Sequence, residues 1–121
     1  MKFRTAHLIV AFATFTTPAV ARDTAWGALA LDTAKAEKAP AYGVGGADTE
    51  EEASSIAMDF CVEAEGVSCK VAVTYEHCGA LAVSGRGEAG WGKSDSKEGA
   101  EEQAMQACAA DACEVVVSDC N

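Results

Sequence analysis

The chain has 121 residues, half of them hydrophobic, and a formal net charge of −10 from 19 Asp and Glu against 9 Lys and Arg. The length predicts a single domain. The acidic excess argues against nucleic acid and anionic membrane surfaces as partners, because both would be repelled.

The N-terminus has the order of a secretory signal peptide. Lys2 and Arg4 give a positive start, an apolar run covers residues 6–20, and an Ala-Val-Ala motif ends the segment. A membrane anchor is the alternative, but the run is short and rich in threonine. The sequence predicts a signal peptide at 1–21 and a single disulfide-rich domain at 22–121 that does not insert into a membrane. Cleavage leaves seven Lys and Arg against 19 Asp and Glu, a net charge of −12.

An internal repeat organises the mature domain. Gly-Ala-Leu-Ala-Leu at 27–31 recurs as Gly-Ala-Leu-Ala-Val at 79–83. An Ala-x3-Ala-Met-x2-Cys pattern also occurs twice, and each time a cysteine and a valine-rich run follow it. This self-similarity predicts an internal duplication, with copies at about 26–78 and 79–120, each read as strand, strand, helix, strand.

The strands of each copy are read from alternation and turn residues. An alternating first strand leads through a turn, at 35–40 and 84–87, to a short second strand around 42–44 and 90–92. Glycines in these second strands predict an edge position or a bulge. Three residues of the third strand of the first copy are predicted to face inward: Val71, Val73 and Tyr75.

The two helices have clear start signals and apolar stripes. Thr49 and Glu52 form a capping box for the first helix, and the second is predicted to start near Asp95. The residues predicted on the stripes are Ala53, Ile56, Ala57, Phe60, Cys61 and Ala64, and then Ala100, Ala104, Ala107 and Cys108. The sequence thus predicts an α+β fold in which two pseudo-symmetric β-β-α-β repeats form a mainly antiparallel sheet covered by two helices.

All six cysteines lie in the mature domain, and an even number in an exported chain predicts disulfides. No spacing is the CxxC of a zinc site, so no metal is predicted. Cysteines that bracket a single extended strand are too far apart to pair. The simplest pairing that respects the repeat is Cys61–Cys69, Cys108–Cys113 and Cys78–Cys120. The third bond is expected to cross the pseudo-twofold axis between the copies.

Several of these motifs together resemble a known family. They are Trp-Gly-Ala-Leu-Ala from Trp26, Cys-Gly-Ala-Leu-Ala-Val from Cys78, the Gly-Trp-Gly around Trp91, and the closing Cys-x4-Cys-x6-Cys-Asn. They are similar to the bacterial family of domains of unknown function numbered 4189, over nearly all of residues 25–121. The resemblance implies a secreted or periplasmic α+β sandwich, and it supplies no catalytic residues.

The leading functional hypothesis is an exported, non-enzymatic interaction module that binds another protein, such as an inhibitor or an immunity-like protein. A basic protein would complement the charge; no cofactor, metal ligand or catalytic residue is predicted. Trp26 and Trp91 are expected at equivalent strand positions. The candidate binding residues are Glu51, Glu52, Asp59, Glu63, Trp26 and Trp91.

Two other classes of function stay open at this point. The acidic cluster around Asp48 and residues 50–52 is compatible with weak calcium binding, or the protein has a structural role in the envelope. Helix capping and a solvated face explain that cluster more simply. The third class is a hydrolase with paired carboxylates, because any two of the 19 acids can meet in space.

Overall fold

The computed structural model describes residues 24–32 and 40–121. The predicted signal peptide and most of the predicted first turn lie outside these ranges. The strands and helices in chain order are β1 (Trp26–Asp32), β2 (Ala41–Ala47), α1 (Glu50–Glu63), β3 (Lys70–Tyr75), β4 (Cys78–Val83), β5 (Ala89–Ser94), α2 (Lys97–Cys108) and β6 (Glu114–Cys120).

The six strands of the described residues form two antiparallel sheets of three, in the orders β2-β1-β3 and β5-β4-β6. Each sheet is one β-β-α-β unit, and its helix packs on one face. The other faces of the two sheets pack against each other, which gives four layers in the order helix, sheet, sheet, helix. The predicted α+β fold and its two repeats are confirmed. The division of the strands between two sheets is added by the structure.

The central strands explain this layering through their alternating side chains. In β1, Ala28 and Ala30 lie in the cluster under α1, whereas Leu29 and Leu31 lie between the sheets. The same alternation occurs in β4, where Ala80 and Ala82 lie under α2. Small residues therefore meet the helices, and larger ones fill the space between the sheets.

The helices lie unusually close to the glycines of the edge strands. A Cβ atom added at Gly43 would overlap the carbonyl oxygen of Ala57, and one added at Gly90 would overlap the backbone nitrogen of Cys108. The buried helix positions form one narrow stripe in each helix: Ala53, Ala57 and Cys61, and then Ala100, Ala104 and Cys108.

Three residues predicted on the apolar stripes are exposed, and those assignments are wrong. Phe60 is 51% exposed, and Ala64 and Ala107 are also exposed. At such close approach the fully covered positions are those spaced four apart, Ile56 and Met58 pack at the edge of this stripe, and Phe60, Ala64 and Ala107 lie outside it.

Both helices begin at a hydroxyl cap. The Thr49 hydroxyl accepts a hydrogen bond from the Glu52 backbone N–H at 3.2 Å, as the capping box predicts. Ser96 accepts from the Gly99 N–H at 3.0 Å, so α2 starts one residue later than an Asp95 cap would give.

Each unit contains a β-bulge at the same place. In the first sheet Leu29 pairs with Val73 and Ala30 with Val71, which leaves Ala72 as the extra residue. The ladder between β4 and β6 shifts at the corresponding point. The bulge turns Val71 away from the core between the sheets, where it is 38% exposed, so the prediction that Val71 faces inward is wrong. Val73 and Tyr75 do face inward.

The three predicted disulfides are confirmed, and the described residues include no free cysteine. The predicted role of the third bond is wrong. Cys78 opens β4 and lies directly opposite Cys120 on β6, so this bond lies within the second sheet and does not link the two units. Among the described residues, no helix is both long and apolar enough to span a membrane.

Candidate functional site

The outer side of α1 carries a row of carboxylates. Glu52, Asp59 and Glu63 are spaced by seven and four residues, which places them on one line of the helix, about 16 Å long. All three are exposed, and they lie on the side opposite the buried stripe. We call these three residues the acidic ridge. Glu51 is also exposed and lies to one side of it.

The acidic ridge is not neutralised within the described part of the protein. Helix α1 contains no Lys or Arg. The contact between a carboxylate and a basic side chain that is formed by described residues lies elsewhere, between His77 and Asp95 at 3.8 Å. Over residues 24–32 and 40–121 there are 17 Asp and Glu against four Lys and Arg. The ridge therefore presents negative charge to solvent, where the cationic side chains of a partner can pair with it.

The second unit does not repeat the acidic ridge. In the alignment of the two repeats, Glu52 corresponds to Gly99 and Asp59 to Gln106. Helix α2 has its own carboxylates at Glu98, Glu101 and Glu102, but Glu101 is engaged by the Ser118 hydroxyl at 2.8 Å. The two helical faces of the molecule thus differ in charge, although their backbones are alike.

The two tryptophans do not form one surface with the ridge. Trp26 is half-buried and packs against the cluster under α1, whereas Trp91 is 47% exposed on β5. Strand register places Trp91 opposite Leu81, a position held in the first unit by Val44 opposite Leu29. The expectation that Trp26 and Trp91 are equivalent is wrong, because Trp26 corresponds to Cys78.

A cleft of about 390 Å³ lies where the two units join. The strand ends of both sheets contribute to it, together with the short connection between β3 and β4. Its lining residues are Trp26, Tyr75, Glu76, His77, Cys78, Lys93, Ser94 and Asp95. This cleft has no signal in the sequence, because its walls come from segments that are far apart along the chain.

Tyr75 lies between the sheets beside this cleft. Its ring fills the space left by two glycines, since a Cβ atom at either Gly27 or Gly79 would overlap it. Its hydroxyl donates to Asp119 at 2.6 Å. Burial, then the hydrogen bond and negative charge of Asp119, raise the pKa of Tyr75 far above its usual range. The residue is therefore a neutral donor that ties β3 to β6 across the two units.

The cleft does not assemble a nucleophile with its base. His77 pairs with Asp95 and is 65% exposed, and Cys78 is oxidised in a disulfide. The Ser94 hydroxyl faces Gly99 and accepts a long hydrogen bond of 3.5 Å from the Ser96 N–H, on the side of α2. Among the described residues, no group of three or more His, Cys, Asp or Glu is arranged to hold a metal ion, and this includes the acidic cluster around residues 48–52.

A family model with the description "Domain of unknown function (DUF4189)" matches residues 26–120. The chain belongs to this family. The match covers both β-β-α-β units and all six cysteines, so the duplicated, disulfide-linked fold is the DUF4189 domain itself. No curated protein matches the chain, and no solved structure does.

Proposed function

We propose that this DUF4189 protein is an exported, non-enzymatic interaction module that binds a basic protein through the acidic ridge of α1. The observation that carries the proposal is the unpaired row of Glu52, Asp59 and Glu63 on a helix without basic residues. Such a row complements a positively charged surface and steers its approach over distances of about a Debye length.

The scaffold supports this proposal because it holds the ridge in place. The Cys61–Cys69 bond closes the end of α1 onto the start of β3, and the Thr49 cap fixes the other end of the helix. A preorganised surface loses little conformational entropy on binding, so more of the contact energy becomes affinity. Export is part of the proposal and is supported by the three disulfides, which persist in oxidising compartments.

An inhibitor or an immunity-like protein is the specific form of this function that the geometry favours. Both bind one partner with a rigid surface and need no chemistry of their own. The asymmetry between α1 and α2 gives the module one preferred face, so we propose a complex of one module with one basic partner site.

Affinity capture with matched variants tests the proposal. The mature protein is used as bait on cell-envelope and culture fractions, beside the variants Asp59→Lys/Glu63→Lys and Glu102→Lys/Asp111→Lys. Both variants change the net charge equally, and all four residues are exposed. We expect a basic protein to be captured by the wild type and by the Glu102/Asp111 control and to be lost with the ridge variant. Equal capture by all three baits would contradict the proposed surface.

A further inference from the structure

The three disulfides differ in how exposed their cysteine residues are. Cys61, Cys78, Cys108 and Cys113 are buried, and Cys69 is half-buried with Gly66 packed against its sulfur. Cys120 is the exposed residue of the six. Thiol–disulfide exchange requires a thiolate to reach one sulfur of the bond, so access decides which disulfide reacts first. The Cys78–Cys120 bond is therefore the one open to attack, at Cys120.

The other sulfur of this bond belongs to a buried residue. Cys78 is 5% exposed and lies in the cluster under α2. A thiolate of another molecule therefore reaches the bond from the Cys120 side, and Cys78 is the sulfur that leaves.

The first unit shows that the fold holds its sheet without this bond. In the repeat, Trp26 takes the position of Cys78 and Glu76 that of Cys120. The first sheet is nevertheless complete, with both of its ladders formed. In the second sheet, β4 and β6 pair from Val83 to Cys78 with one bulge at Val116, so the backbone ladder keeps the strands together when the sulfurs separate.

From these three observations we propose that Cys78–Cys120 is a thiol–disulfide exchange site, which an external dithiol opens in the folded protein. A thiolate of the dithiol attacks the Cys120 sulfur and forms a mixed disulfide, while the electron pair of the broken bond leaves on Cys78. The second thiol of the dithiol then displaces Cys120. The dithiol is oxidised to its disulfide, and two electrons and two protons reduce the protein to two thiols. The reverse reaction closes the site.

Limited reduction under native conditions tests this site. The oxidised mature protein is treated with dithiothreitol, samples are quenched with an alkylating agent, and the labelled cysteines are mapped by mass spectrometry. We expect Cys78 and Cys120 to be labelled together before any other cysteine, at a rate that low, non-denaturing urea leaves unchanged. Earlier labelling at another disulfide, or a rate that rises steeply with urea, would overturn the proposal, because reaction would then require unfolding.

Discussion

Tyr75 shows how one residue breaks the symmetry of a duplicated fold. The equivalent position in the second repeat is Asp119, and the two side chains meet in a 2.6 Å hydrogen bond. A single ring occupies the space between Gly27 and Gly79, which are themselves equivalent. The repeats have thus diverged into a donor and an acceptor, which join the two units at one point.

We expect Tyr75→Phe to lower the free energy of unfolding by about 1–2 kcal/mol, because it removes a hydrogen bond to a charged group and leaves the ring in place. Urea unfolding of the mature protein measures the change. Tyr42→Phe is the control, because Tyr42 lies 37% exposed on an edge strand. Equal urea midpoints for Tyr75→Phe and Tyr42→Phe would show that the Tyr75 hydroxyl contributes nothing to stability.

The same variant has a defined dependence on pH. Folding raises the pKa of Tyr75 from its ordinary value of 10.0, mainly by burial, so the folded state holds this proton more tightly than the unfolded chain. Tyr75 therefore makes its full contribution to the free energy of unfolding below pH 10. That contribution falls as the pH rises above 10, because the unfolded chain then loses the tyrosine proton while the folded chain keeps it. The stability difference between the wild type and Tyr75→Phe should therefore shrink above pH 10. A constant difference would contradict this account.

At the scale of elements, the glycines of β2 and β5 decide how closely the helices approach. Their missing side chains let the backbones of α1 and α2 rest on the strands, and alanines form the contact from the helix side. Dispersion contacts between such surfaces are dense, because no side chain larger than that of alanine or cysteine lies along the buried stripe of either helix.

Gly43→Ala should therefore destabilise the protein by about 3 kcal/mol, since the added methyl overlaps the helix backbone, which cannot rotate away. Gly85→Ala is the matched control, because a Cβ atom there meets nothing within 4 Å. Thermal unfolding followed by circular dichroism measures both. Similar midpoints for Gly43→Ala and the wild type would mean that the helix lies farther from the strand than described.

The helices and the disulfide pairing could be predicted from the sequence, because the signals for them are local. The capping box of Thr49, the repeated helical pattern and the spacing of the cysteines all depend on neighbouring residues. One sheet could not be distinguished from two, because Leu29 and Leu81 need an apolar layer in either case. The bulge at Ala72 has no signal in a run of valines and alanines. The cleft and the position of Trp26 depend on how the two repeats pack together.

At the scale of the whole molecule, duplication gives two similar backbones with different surfaces. The α1 side carries the acidic ridge, and the corresponding positions of α2 are neutral. The exchange site belongs to the second unit alone, since the first has Trp26 and Glu76 in its place. Divergence after duplication has thus placed the proposed binding surface on one unit and the proposed reactive disulfide on the other.

The most direct test of the central claim is the association rate of the captured basic partner, measured by stopped flow at two salt concentrations. For the wild type and the Glu102→Lys/Asp111→Lys control, we predict that the rate falls about tenfold from about 10 mM to about 150 mM salt. Asp59→Lys/Glu63→Lys should associate slowly at both concentrations and keep its stability, because new positive charges near the end of α1 suit the helix dipole. A ridge variant that associates as fast as the wild type at low salt would contradict the proposed function.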